Sequence, residues 1–279
     1  MTMRRAALSV TVSLQSLPLL SGALLCGQEA IHTPAATQPG AGRCELREQL
    51  NWYHSDSAGA GGGTRIDELL HDSSLTLGVR QDLAIGLSVP THLSLTDAAG
   101  TTDDDLELGD LQLFTKVRLF RRDSGPIDTE RVGLILGVQC DTASRGATSL
   151  RPDFARNSFD PIVGAVWSRI DGHVGLDAAV QATLSTSGEA SDFRYDGAWL
   201  YRISPTTFGP DIETAWYFVA ELNGRYETNG DHEVLLAPGL LIEARRMSFE
   251  LSVQLPAYQD IAHRPEIDYA VVVGMRFLF

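Results

Sequence analysis

The chain has 279 residues, 36 Asp and Glu against 22 Lys and Arg, a formal net charge of −14 and 43% hydrophobic residues. This balance excludes the basic surface that nucleic acid requires and the basic patch that docks proteins onto anionic lipid. Three cysteines build no disulfide scaffold: Cys26 lies in the leading apolar stretch, while Cys44 and Cys140 are expected as single buried thiols.

Residues 1–30 have the order of a cleaved signal peptide. Met1 to Arg5 is positive, Ala6 to Leu25 is largely apolar and uncharged, and small residues follow around Gly27 to Ala30. Ser9, Ser13, Gln15, Ser16 and Pro18 dilute the run and weigh against a membrane-spanning helix. Leu24-Leu25-Cys26 outlines a lipoprotein signal, but Leu25 is not the small residue that lipidation wants before the cysteine. No later apolar run approaches the roughly 20 residues of a helical span. An exported soluble protein or a membrane barrel therefore remains. Residues 31–42 read as a flexible segment.

From residue 43 onward, period-two alternation replaces helical periodicity. Leu83, Ile85, Leu87 and Val89 alternate with Ala84, Gly86, Ser88 and Pro90. Leu111, Leu113, Val117 and Leu119 alternate with Asp110, Gln112, Lys116 and Arg118. The last stretch sets Tyr269, Val271, Val273, Met275, Phe277 and Phe279 against Asp268, Ala270, Gly274 and Arg276. About twelve such strands are expected, an even number as bacterial barrels prefer. They fall near 43–53, 65–80, 83–95, 106–120, 130–140, 159–170, 173–184, 192–204, 213–226, 232–243, 246–256 and 267–279. Gln81-Asp82, Asp171-Gly172 and the Ala244-Arg245 region are tight turns. The connections near 121–129 and 204–211 are of middling length and join this set. Longer polar loops lie at 55–64, 96–105, 141–158, 185–191 and 257–266. Short turns on one side and long loops on the other is the outer-membrane pattern.

The expected fold class is thus all-β, an antiparallel up-and-down transmembrane β-barrel at residues 43–279, in the outer membrane of a bacterial cell. A soluble lipocalin-like barrel alternates too, with its apolar face inward. Three features favour the membrane reading: the strand count, a polar face rich in charges and small residues, and aromatics near strand ends. These aromatics are Trp52 and Tyr53, Trp167, Trp199 and Tyr201, Trp216 and Tyr217, and Phe277 with Phe279. At the two membrane interfaces such rings form girdles.

Tyr269 to Phe279 resembles the closing strand of bacterial outer-membrane proteins, where the terminal aromatic is part of the signal read by the barrel assembly machinery. By that resemblance Phe277 and Phe279 are the assembly signal. More narrowly, Gly109-Asp110-Leu111-Gln112-Leu113-Phe114-Thr115-Lys116, Glu221-Leu222-Asn223-Gly224, Ala237-Pro238-Gly239-Leu240 and Val273-Gly274-Met275-Arg276-Phe277 carry a second likeness. In order and spacing they resemble the transporter-type outer-membrane family associated with the meta-pathway of phenol degradation, from about residue 75 to the end. That resemblance implies a channel admitting small hydrophobic or aromatic compounds.

No metal-ligand spacing, phosphate loop or dinucleotide fingerprint appears, so neither cofactor nor enzyme activity is expected. The acidic stretch Asp103-Asp104-Asp105 with Glu107 lacks a calcium-loop pattern and reads as solvated loop. His92 and Ser94 share a face and could pair a base with a nucleophile for lipid hydrolysis. Parity turns that face toward the lumen, away from lipid, and no nucleophile elbow is present. The expected partners are outer-membrane lipids, the assembly machinery and a small-molecule solute; oligomeric state is not written in these residues. Lumen parity falls on Lys116, Arg118, Asp177, Arg194, Arg202, Glu221, Asn223, Arg225, Glu250, Gln254 and Arg276. They either line a pore for passive passage of small solutes or pair into a seal, leaving a structural or surface-interaction barrel without transport.

Overall fold

A computed structural model describes residues 29–57, 64–96, 102–103, 106–125, 127–144, 147, 149–207 and 212–279. The expected signal up to residue 28, the glycine run at 59–63 and Asp104-Asp105 lie outside the described residues. Twelve long strands form the wall: β1 Cys44–Ser57, β2 Thr64–Arg80, β3 Leu83–Thr96, β4 Leu111–Asp123, β5 Thr129–Cys140, β6 Asp160–Asp171, β7 Val174–Thr183, β8 Asp192–Ser204, β9 Thr214–Glu227, β10 His232–Ala244, β11 Met247–Asp260 and β12 Tyr269–Leu278. Two two-residue pieces, 102–103 and 107–108, add short pairings to β3. Each wall strand pairs antiparallel with its chain neighbours. β1 also pairs with β12, from Glu45 opposite Leu278 to His54 opposite Tyr269. The ring is closed. A closed ring leaves no open edge, the condition for backbone to cross hydrocarbon. No helix among the described residues is long and apolar enough to cross a membrane.

The strands lie close to their expected places. β4 begins later than expected because Asp110 is occupied: its carboxylate accepts the backbone N–H groups of Thr142, Ala143 and Arg156 at 3.0, 3.0 and 2.6 Å. β1 and β11 run further than expected, to Ser57 and Asp260. One hairpin at the long-loop end is tight, with Gly230 at φ 105°. Cys44 opens β1 and Cys140 closes β5, and both are free.

Side chains obey the period of two. On β6, Val163 and Trp167 face out while Ile162, Ser168 and Ile170 are buried inside. Exposed large apolar groups such as Leu75, Leu113, Leu136, Val180, Leu236 and Leu251 form a belt around the outer wall. Such a belt has no place in water and suits lipid. Its rims are aromatic. Trp199 stacks on Tyr201 at 5.8 Å at the short-turn end, and Trp52 meets Tyr269 edge-on at 5.6 Å at the other. Two expected girdle members are corrected. Tyr53 and Tyr217 are 8% and 1% exposed and point inward, because neighbours of Trp52 and Trp216 in a strand must take the opposite face.

One polar cluster interrupts the belt. Glu48 on β1 receives a hydrogen bond from Ser73 at 2.9 Å and lies 2.7 Å from His71 Nε2 on β2. These outward groups satisfy one another, as polar groups at a lipid face must.

Leu251→Arg tests which solvent the belt faces. In a bilayer the substitution costs about 2–4 kcal/mol near the midplane, read as a lower urea midpoint for folding into vesicles. A soluble barrel would tolerate arginine at this exposed position, with no shift.

Candidate functional site

The wall encloses a lumen, and among the described residues two chain segments enter it. The first is 29–43, which has no regular structure but is held along its length. Glu221 on β9 accepts the backbone N–H groups of Ile31, His32 and Thr33 at 2.6–3.1 Å. Arg276 on β12 donates to the Ala30 carbonyl and pairs with Glu29 at 2.7 Å. Arg47 on β1 donates to the Ile31 carbonyl. Lys116 on β4 donates to the Ala35 and Thr37 carbonyls at 2.9 and 3.0 Å, and Ser168 on β6 accepts from Ala36 N at 2.7 Å. A segment without secondary structure thus has much of its buried backbone met by wall side chains.

Apolar contacts add to this. Ala30 and Ile31 pack with Leu200, Tyr217, Val219, Leu241 and Val272. Ala36 packs with Ile135, Ile162, Val166 and Ala179. The segment leaves the lumen at a turn where Gly42 N donates to Gly78 O at 2.7 Å. A Cβ at Gly78 would sit 2.2 Å from the Gly40 carbonyl oxygen, so only glycine admits this approach.

The second insert is the β5–β6 connection. Leu150 and Phe154 anchor it in an apolar cluster with Tyr53, Leu70, Ile267 and Ala270. Gln139 donates to the Asp153 carbonyl at 2.8 Å, and Asp110 N donates to Phe154 O at 2.7 Å. Between the anchors, Asp153 meets three guanidiniums: Arg151 at 2.8 Å, Arg194 on β8 at 2.7 Å and Arg225 on β9 at 3.1 Å. Arg194 and Arg225 also reach Asp192, at 3.1 and 2.9 Å, and Arg151 pairs with Asp72 on β2.

The eleven residues of lumen parity therefore sort by height. Lys116, Asp177, Glu221, Glu250, Gln254 and Arg276 surround the N-terminal segment. Asp177 accepts from Ser168, Glu250 pairs with Arg276 and Arg47, and Gln254 lies 3.4 Å from His32. Arg194 and Arg225 hold the loop, with Asn223 donating to Asp196 at 3.0 Å beside them. Arg118 and Arg202 sit at the short-turn rim, donating to the Gln81 and Pro205 carbonyls. Sequence reasoning missed Arg47, Gln49, Asn51 and Tyr53 on β1, whose outward Glu48 and His54 blur the contrast between faces. It also missed the loop residues, which no strand periodicity can reach.

Between the two inserts lies a cavity of about 230 Å³ lined by Tyr53, Leu150, Leu235 and Ile267 together with Arg47, Arg151, Arg194 and Arg225. His92 is buried inside against Phe154, 3.9 Å from Glu68. The β2–β3 register shifts between the pairs Leu69–Ser94 and Leu70–His92, and the Ser94 side chain lies outside the described residues. Among the described residues no cluster of His, Cys, Asp and Glu could hold a metal ion.

No family model matches this sequence, and no curated protein does. Among solved structures, the COG4313 outer membrane channel from Pseudomonas putida F1 aligns with a TM-score of 0.59 at 12% identity, over 86% of this chain and 96% of that one. The beta domain of the Bordetella autotransporter Brka aligns at 0.46 with 14% identity, over 86% and 100%. An anion-selective porin from Comamonas acidovorans aligns at 0.35 with 9% identity, over 85% and 98%. The likeness to the Pseudomonas channel shows the fold, a closed barrel of the bacterial outer-membrane kind.

Two outcomes test the inserts. Glu221→Ala deprives three backbone N–H groups of a charged acceptor, each bond worth about 1.5–3 kcal/mol. The segment loosens, and mean conductance in planar bilayers rises severalfold; an unchanged trace contradicts its role as a plug. For Asp153, burial works to raise the carboxyl pKa, but Arg151, Arg194 and Arg225 outweigh it and hold the group well below the usual carboxylate range. A depressed folded pKa stabilises above the unfolded value of about 3.9 and is lost as pH falls through the folded one. The Tm difference between wild type and Asp153→Asn is expected to stay constant from about pH 7 to 5 and to shrink only below about pH 4.

Proposed function

We propose that the protein is an outer-membrane channel for passive passage of small solutes, hydrophobic or aromatic ones among them. The single observation that carries this is the cavity between the inserts. It is partly open, amphipathic and of small-molecule size, and each insert is held in the lumen by side-chain contacts rather than strand pairing. Segments held by side-chain hydrogen bonds can be displaced without unzipping the wall. The resemblance to the phenol meta-pathway transporter family supports the aromatic part of this reading. In the same reading the export signal ends before Glu29, short of the expected residue 30, because Glu29 and Ala30 dock in the lumen; outer-membrane lipids cover the belt, and Phe277 and Phe279 are presented to the assembly machinery.

The pairing of many buried charges favours a second reading, a sealed barrel without transport. Liposome flux of benzyl alcohol separates the two. Flux above protein-free vesicles that rises further in Glu221→Ala supports the channel. No flux in either protein, with a normal heat-modifiable gel shift, overturns it in favour of the sealed barrel.

A further inference from the structure

The loop carboxylate of Asp153 is placed as a bound anion would be placed. It is 5% exposed, it faces the cavity, and three arginines from the loop, β8 and β9 converge on its two oxygens at 2.7–3.1 Å. Arg194 and Arg225 are set by the wall, one on each of two paired strands, with Arg194 directly opposite Arg225 in the register. Like charges directly opposite on paired strands repel, so this pair needs anions from elsewhere. Asp192 supplies one and Asp153 the other. With Asp72 included, three guanidiniums face three carboxylates. Withdrawing Asp153 removes the one carboxylate that bonds all three guanidiniums, although Asp196 and Glu233 also line the cavity.

The rest of the loop does not depend on that carboxylate. Leu150 and Phe154 anchor it on either side, and the Asp153 main chain is held separately through Gln139. Rotating one side chain out is therefore enough to empty the cradle. The cavity beside it offers Tyr53, Leu150, Leu235 and Ile267 to an apolar body.

We propose that Arg151, Arg194 and Arg225 form a binding site for the carboxylate of a small organic anion with an apolar or aromatic body, and that Asp153 fills it as a built-in stand-in. A planar carboxylate takes two parallel N–H bonds from a guanidinium fork, which a spherical ion such as chloride cannot. The site selects against neutral analogues because an amide in place of the carboxylate leaves the arginines unpaired. This inference rests on the channel reading and names the solute class of its constriction.

Equilibrium dialysis with benzoate and benzamide, on detergent-folded protein checked by its heat-modifiable gel shift, tests the site without requiring transport. Wild type is expected to bind benzoate measurably and benzamide not. Asp153→Asn removes the competitor and tightens benzoate binding by about tenfold or more. Adding Arg225→Gln to Asp153→Asn abolishes the gain while the gel shift persists. Equal binding of benzoate and benzamide, or benzoate binding indifferent to Asp153→Asn, overturns the proposal. Benzyl alcohol flux in liposomes is read in parallel. Flux without benzoate selectivity sinks the carboxylate site and leaves the channel; benzoate binding without any flux sinks the channel and leaves the site.

Discussion

A wall whose outer face is apolar must keep its charges on the other face, and charges held inside a narrow barrel must find partners there. Burial of an unpaired guanidinium or carboxylate costs far more than the wall's own pairings could offset. Most charged groups of the lumen answer to this constraint. Arg276 and Glu250 meet each other, and Arg276 also meets the Glu29 carboxylate and the Ala30 carbonyl. Glu221, with no cation of the wall bonded to it, is met by three backbone N–H groups. Arg194 and Arg225 are met by a carboxylate carried in on a loop. The inserts are counterions and hydrogen-bond partners as much as obstructions.

The same constraint explains why the interior is not uniformly polar. Where the wall turns Leu200, Val219 and Leu241 inward, it does so opposite Ile31. Ile162 and Val166 turn inward opposite Ala36. Wall and insert are matched, polar to polar and apolar to apolar, along a single irregular segment. In a wide water-filled pore those inward isoleucines and valines would stand in water.

Strand number, order and most boundaries were legible in the sequence because period two is a local property, readable wherever one face is lipid and the other is not. β12 shows it plainly, from Tyr269 to Phe279. It fades on β10, where Leu235 and Ala237 inside alternate with Leu236 and Pro238 outside, and on β1, where Glu48 and His54 face outward. Parity also separated the inward arginines from the outward leucines. It could not show what those arginines hold. Residues 31–42 carry no periodicity, and their place follows from side chains as distant in sequence as Ser168 and Glu221. Asp153 likewise lies in a connection, where polarity reads as solvation until the fold folds it inward. The girdle reading went wrong at Tyr53 and Tyr217 for the opposite reason, since composition was counted there without its parity.

The anchors of segment 29–43 are spread around the ring: Arg47 on β1, Lys116 on β4, Ser168 on β6, Glu221 on β9 and Arg276 on β12. No half-built sheet presents them all. The segment hangs from β1, the strand that also completes the seam with β12, so its full set of bonds exists only once the circle is joined. Complete docking therefore requires closure and reports it. A barrel that has failed to close would leave this stretch dangling, open to the proteases that clear misassembled chains.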